Sequence, residues 1–399
     1  MNLSAQQTSA LDAIHSWIRD KDAPCFYLAG AAGTGKTTLA QYVAEGQNTA
    51  FLSFTGKAAS VLRSKGCEGA TTVHSQIYTV KERDKTELQR LEAEYEKTGD
   101  ERLLLKLKKA RKEAQSPSFT LNPNSAIRDC DLIILDECSM IDEFMGNDLL
   151  SFGVPILVLG DRHQLPPVKG TGFFTNQTPD FELTEIHRQA LDSGIIQFAT
   201  DIRKGRPVYV DGYYGPDVKI VTQEEFVEQI RPYIVPPTQV LVGLNKTRNK
   251  ANRLLRDQMG FYNKYPMERD RVICLRNNHD KGLLNGAQFE VLEGAEASAY
   301  DDYMRMTIRS DEGEEFRVKF HREVFHIDEK GRNEEPDWRF AKEAEFFDFA
   351  CAITVHKSQG SEYDDVVVID ESRRFYEKGR KHRYTAATRA AKHLTWVVG

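Results

Sequence analysis

The chain has 399 residues, enough for two or three domains with a sizeable core. With 40% hydrophobic and 29% charged residues it reads as a soluble globular protein, and no apolar run approaches the ~20 residues that cross a membrane. A net charge of −6 argues against a protein held on nucleic acid by its overall field, yet leaves room for a local basic track. The first twenty residues lack a basic region followed by an apolar core, so they do not read as a secretory signal. The cysteines at 25, 67, 130, 138, 274 and 351 form no CxxC pair and no zinc spacing. They are expected as reduced thiols of a cytoplasmic protein.

In chain order, four short apolar runs come first: CFYLAG (25–30), TAFLSFTG (49–56), DLIILDE (131–137) and VPILVLGD (154–161). Each is continuous rather than alternating, as in strands covered by helices on both faces, so a parallel α/β sheet is expected. Between the second and third runs, residues 81–115 are almost all charged or helix-forming. Leu88, Leu91 and Tyr95 make one stripe, Leu103, Leu107, Ala110 and Ala114 another, and Gly99-Asp100 a turn. This predicts a helical hairpin inserted at about 78–118. A second apolar set follows: QVLVGLN (239–245), FACAITV (349–355), DVVVID (365–370) and HLTWVV (393–398). Two α/β lobes with a cleft between them are therefore expected, 1–190 and 191–399. Alternating stretches MRMTIRS and EFRVKF, with turn signals at Asn285-Gly286 and Asp311–Gly313, predict a small β-barrel inserted at about 268–345. Near the end, Arg373, Arg374, Lys378, Arg380, Lys381 and Arg383 form a basic cluster, which fits a solvated loop as well as a phosphate contact.

Residues 30–37, GAAGTGKT, match GxxxxGK[ST] in full, between an apolar strand and a helix-like segment. Glycines let backbone N–H groups curl around phosphate oxygens, and the following helix adds its positive end. The loop assigns ATP contacts to Gly30, Gly33, Thr34, Gly35, Lys36, Thr37 and Thr38. Lys36 would reach the β- and γ-phosphates and the Thr37 hydroxyl Mg²⁺. The partner acid belongs at the end of another buried strand, and DLIILDECSM supplies it. Asp136 would hold Mg²⁺ through water, and Glu137 would orient and deprotonate the attacking water. A nucleotide sensor does not need that second carboxylate as a base, so Glu137 favours hydrolysis. Hydrolysis also calls for positive charge on the transition state, for which Arg188 in LTEIHRQ and Arg389 in YTAATRA are the candidates, acting across the cleft. In VLGDRHQLPPVKG (158–170) a buried strand delivers Gln164 into a turn stiffened by two prolines. If that strand lies beside the one ending at Asp136, the uncharged amide reaches the γ-phosphate.

These motifs, taken in order, resemble those of superfamily 1 helicases of the RecD/Dda type, the 5′→3′ branch. LSAQQTSA (3–10) looks like the adenine-reading segment, with Gln7 at its glutamine position. FTGKAA (54–59) looks like motif Ia, and TTVHS (71–75) resembles the strand-contacting segment after it. DECSM resembles motif II, GDRHQLPPV motif III, LTEIHRQ motif IV, TVHKSQGSEYDDV (354–366) motif V and YTAATRA motif VI. The resemblance implies two RecA-like lobes, ATP in the cleft with Gln359 and Gly360 beside it, and Arg188 and Arg389 facing the γ-phosphate. It implies single-stranded DNA across both lobes, touched by Thr55, Lys57, His74, Ser75, Thr354, His356 and Lys357, with Gln164 coupling fuel to track.

Tyr78 and Phe119 flank the first insertion and are the candidates for a strand-separating wedge. The second insertion is short, which implies a reduced tower toward the first lobe. The expected protein is a monomeric ATP- and Mg²⁺-dependent DNA helicase of a bacterial or phage-infected cell, acting on single-stranded, duplex and fork DNA, with replication or recombination proteins as further partners and no membrane. An RNA helicase of the same superfamily, a nucleotide-dependent switch, or the ATPase subunit of a recombination complex stand as alternatives.

Overall fold

The computed structural model describes residues 3–20, 22–81, 86–100, 102–104, 106, 107, 110, 118–167, 171–185, 193–210, 212–278, 281–297, 302–325 and 344–399. Its first part runs β1 (Cys25–Gly30), β2 (Thr49–Ser53), β3 (Thr71–Thr72), β4 (Tyr78–Lys81), β5 (Ser118–Leu121), β6 (Leu132–Asp136), β7 (Ile156–Gly160) and β8 (Phe181–Leu183). Six of these make one parallel sheet in the order β3-β2-β6-β7-β1-β8. The continuous apolar runs have a simple cause. Along each central strand, successive side chains enter two different cores. Phe26, Leu28, Leu132, Ile134, Leu157 and Leu159 pack with Ala10, Ile14 and Leu39 of the helices Ala5–Asp20 and Lys36–Ala44. Tyr27, Ala29, Ile133, Leu135, Ile156 and Val158 point the other way, toward Val73, Ile77, Met145 and Leu149. Period-2 alternation between two apolar faces leaves no polar position to read.

The second sheet is built from β9 (Val218–Val221), β10 (Gln239–Val242), and, further along, strands 352–354, 363–369 and 390–397. The intervening strands are β11 (Arg271–Cys274), β12 (Gln288–Ala297), β13 (Tyr303–Ser310), β14 (Glu315–His321) and β15 (Phe347–Phe349), which makes the last three β16 (Ala352–Thr354), β17 (Tyr363–Ile369) and β18 (Ala390–Val397). The sheet order is β16-β10-β17-β18-β9, all parallel. It too has two apolar faces. Leu241, Ile353, Val366, Val368 and Trp396 meet the helix Gly194–Arg203, while Val240, Val242, Val367 and Val397 meet Leu255 of the helix Asn245–Gln258.

Two excursions depart from the expectations in detail. The first insertion rises from an antiparallel ribbon, β4 with β5, which the charged composition gave no hint of. The helix Thr86–Thr98 follows, then Gly99 at φ 60, and Leu91 and Leu107 bury against each other with Tyr95, Leu103 and Ala110. The expected stripe positions Leu88 and Ala114 lie outside the described side chains. The second insertion is a five-stranded antiparallel sheet, β14-β13-β12-β11-β15, with its own core of Phe289, Val291, Met306, Ile308, Val318 and Phe320. Its edges approach at one parallel bridge, Phe320 to Glu345.

The short second insertion, expected to carry only a reduced tower, still docks on the first lobe. A Cβ on Gly56 would stand 2.5 Å from Leu284 Cβ, so glycine lets the insertion press on the helix Gly56–Ser64. Asp311 accepts from Lys57 Nζ at 3.0 Å and from Arg271 Nη2 at 3.0 Å, and Glu312 accepts from Ser60. The turn between β13 and β14 therefore reaches the first lobe.

The fold makes one stability prediction. Phe198 is fully buried, 5.1 Å from the Trp396 ring and 5.0 Å from Tyr214. Phe198→Ala should cost about 3–5 kcal/mol in urea unfolding of the second lobe. A loss under about 1 kcal/mol would mean that the ring is not part of that lobe's core.

Candidate active site

β1 ends at buried Gly30, and the loop beyond it turns through Gly33 and Gly35, both at φ 79, a region where side chains are strained. Gly35 caps the helix Lys36–Ala44 with no side-chain bond, so the first-turn N–H groups stay open to an anion. Lys36 Nζ donates to the carbonyls of Gly30 (2.8 Å) and Ala31 (3.0 Å), so the loop is wrapped around its own ammonium. Thr37 Oγ1 donates to Asp136 Oδ2 at 3.3 Å, joining the helix start to the end of β6. Thr38 follows in the same first turn.

Glu137 departs from anything the sequence announced. Its backbone is left-handed, at φ 53 and ψ 45, and its N–H donates to Asp136 Oδ1 at 2.8 Å. Holding a non-glycine residue there costs of order 1 kcal/mol, and such strain gathers at functional sites. The side chain is consequently aimed into the cleft. Burial pushes its carboxyl above the ordinary glutamate value, most strongly opposed by the Arg389 guanidinium and less by Lys36, while Asp136 and Asp161 add to the rise.

The second lobe closes the cleft. Gly360 sits at φ 74, and a Cβ there would lie 2.6 Å from Ala58 Cβ and 3.1 Å from Thr55 Oγ1. Arg389 is buried and held on three sides, by Thr385 O (3.1 Å), Ser361 O (3.0 Å) and Thr388 Oγ1 (3.2 Å). A cavity of about 550 Å³ results, lined by Lys36, Thr37, Asp136, Glu137 and Gln164 from one lobe and Gly360 and Arg389 from the other. Arg188 lies outside the described residues.

Gln164 is 6% exposed and its Oε1 has no hydrogen-bond partner among the described residues. Gln359 instead donates to Leu165 O at 2.8 Å and is not among the residues lining the cavity. Gln7 packs behind the phosphate loop, its Nε2 on Thr34 O at 3.2 Å and its Oε1 accepting from Ser4 N at 3.0 Å. Tyr384 and Asp161 were not singled out from the sequence, although both sit inside motif stretches. Tyr384 OH donates to Asp161 and accepts from Ala32 N–H at 3.2 Å, across the cleft. Only a contact between residues 223 apart exposes that pairing.

The residues expected on DNA are spread over both lobes. His74 lies 5.7 Å from Phe54, 5.6 Å from Tyr78 and 5.8 Å from Phe119, and burial lowers its pKa. Tyr78 is anchored by a 2.6 Å bond from its hydroxyl to Asp148, whereas Phe119 is 41% exposed. Thr55 caps the helix Gly56–Ser64 through Ala58 N (3.2 Å), and Ser75 N–H donates to Thr72 Oγ1 (3.1 Å). Lys57 is turned to Asp311. In the second lobe, Thr354 Oγ1 accepts from Lys357 N at 3.4 Å, and His356 stands 5.9 Å from Phe375. Burial pushes the Lys357 ammonium down to about 8, against the pull of Asp348.

A family profile described as an AAA domain matches residues 2–222, and one described as a UvrD-like helicase C-terminal domain matches residues 349–397. This chain belongs to the AAA-domain family, and it is similar to superfamily 1 helicases of the RecD/Dda type. It is 25% identical over 418 aligned residues to the ATP-dependent RecD2 DNA helicase of Deinococcus radiodurans, covering 97% of this chain and 48% of that protein. It is 29% identical over 236 residues to the ATP-dependent DNA helicase dda of Enterobacteria phage T4, covering 53% of this chain and 46% of that one. The chain thus spans about half the length of the relatives it matches. Among solved structures, Bacteroides Pif1 bound to ssDNA aligns with TM-score 0.54 at 18% identity, over 99% of this chain and 92% of that one. Pif1 helicase from Candida albicans aligns with TM-score 0.50 at 20% identity, over 100% and 95%. The superfamily 1 helicase fold with two RecA-like lobes is shared.

In this cleft Gly360 provides a direct test. A methyl group at φ 74 against Ala58 must either strain the turn or spread the lobes. Gly360→Ala is expected to weaken a fluorescent ATP analogue by about tenfold with circular dichroism unchanged. Wild-type affinity in the variant would show that the contact does not hold the cleft shut.

Proposed function

We propose that this chain is an ATP-driven motor that moves 5′→3′ along single-stranded DNA and unwinds duplex, hydrolysing Mg-ATP between its lobes. The observation that carries this reading is the meeting, in one cavity, of a phosphate loop, the Asp136-Glu137 pair and Gln164 from one lobe with buried Arg389 from the other. A nucleotide switch would not need Glu137 held in a strained backbone with an arginine opposite. The names of the relatives, both ATP-dependent DNA helicases, support the substrate.

The donors fit the nucleotide and its cation. The loop leaves amide N–H groups uncapped, Lys36 lies folded on carbonyls it can exchange for phosphate oxygens, and Thr37 and Asp136 already face each other. Mg²⁺ needs few protein ligands, and Thr37 and Asp136 would hold it, where it would neutralise phosphate charge. Lys36 and the loop amides bind and orient the phosphates. Glu137 takes the proton of the attacking water, Gln164 orients that water through its Oε1, and Arg389 places positive charge on the transferring group. Because Arg389 comes from the other lobe, stabilising the transition state requires a closed cleft, and hydrolysis is thereby coupled to lobe movement. Two candidate DNA groups, one per lobe, ride on that movement. His74 with exposed Phe119 offers rings for base stacking, and Thr354, His356 and Lys357 offer contacts to phosphate.

The reading makes a polarity prediction: with ATP and Mg²⁺, 5′-tailed duplexes are unwound and 3′-tailed ones are not, and single-stranded DNA stimulates ATP hydrolysis. Absence of stimulation rejects the motor, and unwinding from 3′ tails alone rejects the direction. A second prediction follows from Glu137, which works deprotonated. Since burial raises its pKa, the acid limb of kcat/KM for ATP should lie above the ordinary glutamate range, with activity falling as pH drops through it. Glu137→Gln should lose about a hundredfold or more in kcat, and no carboxylate limb should remain in what survives. A residual limb at the same pH would assign it to another group.

A further inference from the structure

The turn that carries Gln164 belongs by sequence to the first lobe, yet the second lobe holds it. Tyr384 OH donates to the Asp161 carboxylate. Leu165 N–H donates to Thr385 Oγ1 at 2.9 Å, and Gln359 Nε2 donates to Leu165 O at 2.8 Å. These three bonds bracket Gln164 on both sides, and every residue in them is buried. The turn's own bonds, Gln164 N to Asp161 O (3.1 Å) and His163 N to Asp161 Oδ1 (2.9 Å), both run to Asp161. Fixing Asp161 therefore fixes the turn. The same Tyr384 hydroxyl accepts from Ala32 N–H of the phosphate loop at 3.2 Å. Tyr384 and Thr385 are on the helix Gly379–Ala387, whose end leads directly into Arg389.

We infer that Tyr384 is a positioning residue for ATP hydrolysis: its hydroxyl ties the phosphate loop to Asp161 across the cleft and sets the Gln164 amide at its working place only when the lobes are closed. The inference rests on the proposed ATPase reading and adds to it. One helix then delivers two of the three bonds that aim the glutamine and leads into the arginine, so the two arrive together and leave together. When the lobes part, the turn loses all three brackets and the Ala32 amide loses its acceptor. The hydroxyl is suited to the task because burial and the neighbouring Asp161 carboxylate keep it protonated, and a protonated phenol can donate and accept at once.

The test is steady-state ATP hydrolysis at saturating oligo-dT, with Tyr384→Phe, Thr385→Val, Asp161→Asn and the Asp161→Asn/Tyr384→Phe double variant. Tyr384→Phe keeps the ring and removes only the oxygen. Its kcat is expected to fall about tenfold with KM for ATP changed by less than about threefold, the effect of one buried charge-assisted hydrogen bond felt in the transition state. Thr385→Val, which keeps the shape, should lower kcat in the same way and stands in if the tyrosine variant fails to fold. The double variant should lose clearly less than the product of the two single losses, because the Tyr384–Asp161 bond is shared between them.

A kcat within twofold of wild type in Tyr384→Phe and Thr385→Val overturns the inference while leaving the ATPase reading intact. Multiplying effects in the double variant, or parallel losses in kcat, ATP affinity and melting temperature, overturn it in favour of a structural role. A wild type without DNA-stimulated hydrolysis rejects the proposed function and the inference with it.

Discussion

The chemistry of the cleft hangs from the carboxyl ends of three adjacent strands. In the order β6-β7-β1, these deliver Asp136, Gly160 and Gly30 side by side. In a parallel sheet all strand C-termini lie along one edge, so the loops that follow them share one crevice. Phosphate loop, carboxylate pair and Gln164 turn are neighbours for that reason alone. The constraint also fixes where a second lobe must dock, since the crevice is open on one side until something covers it.

What covers it is electrostatically matched. Half-buried Glu137 and Asp136 and buried Asp161 crowd three carboxylates at one edge of the cleft, and burial lifts Glu137 toward its neutral form. Arg389 opposes that lift more than any other group, with Lys36 behind it. Like charges gathered in low dielectric are costly unless opposite charges reach them, and here one of the two cations comes from each lobe. Closure is thus favoured by the same charges that make the site reactive. Gly360 allows the approach, since its missing Cβ is the space that Ala58 occupies.

The insertions serve this closed arrangement differently. The antiparallel sheet of the second lobe reaches the helix Gly56–Ser64 through Leu284, Asp311 and Glu312, so Lys57 is neutralised by the other lobe. A phosphate seeking Lys57 would compete with Asp311, itself shared with Arg271. The first insertion stands on a ribbon beside His74, Tyr78 and Phe119, and its helical arms bury mainly each other. Among its described residues, Glu94, Glu96 and Lys97 are exposed on the solvated face of the helix Thr86–Thr98.

The sequence by itself determined the two sheets, because strands buried on both faces leave long apolar runs. It also determined the phosphate loop, because Gly33 and Gly35 mark backbone that other residues enter only under strain. It placed Asp136 and Glu137 at a strand end and a helix break at Gly99, all features of local spacing. Tertiary structure alone decided the rest. Glu137's left-handed backbone, the pairing of Lys57 with Asp311, and the Tyr384 bridge between Ala32 and Asp161 carry no periodic or compositional signature. The ribbon under the first insertion was equally hidden, since two four-residue strands are too short to alternate visibly. Local patterns encode which backbone a residue prefers. Contacts between side chains more than 200 positions apart depend on how two finished lobes meet, and no spacing along the chain records that.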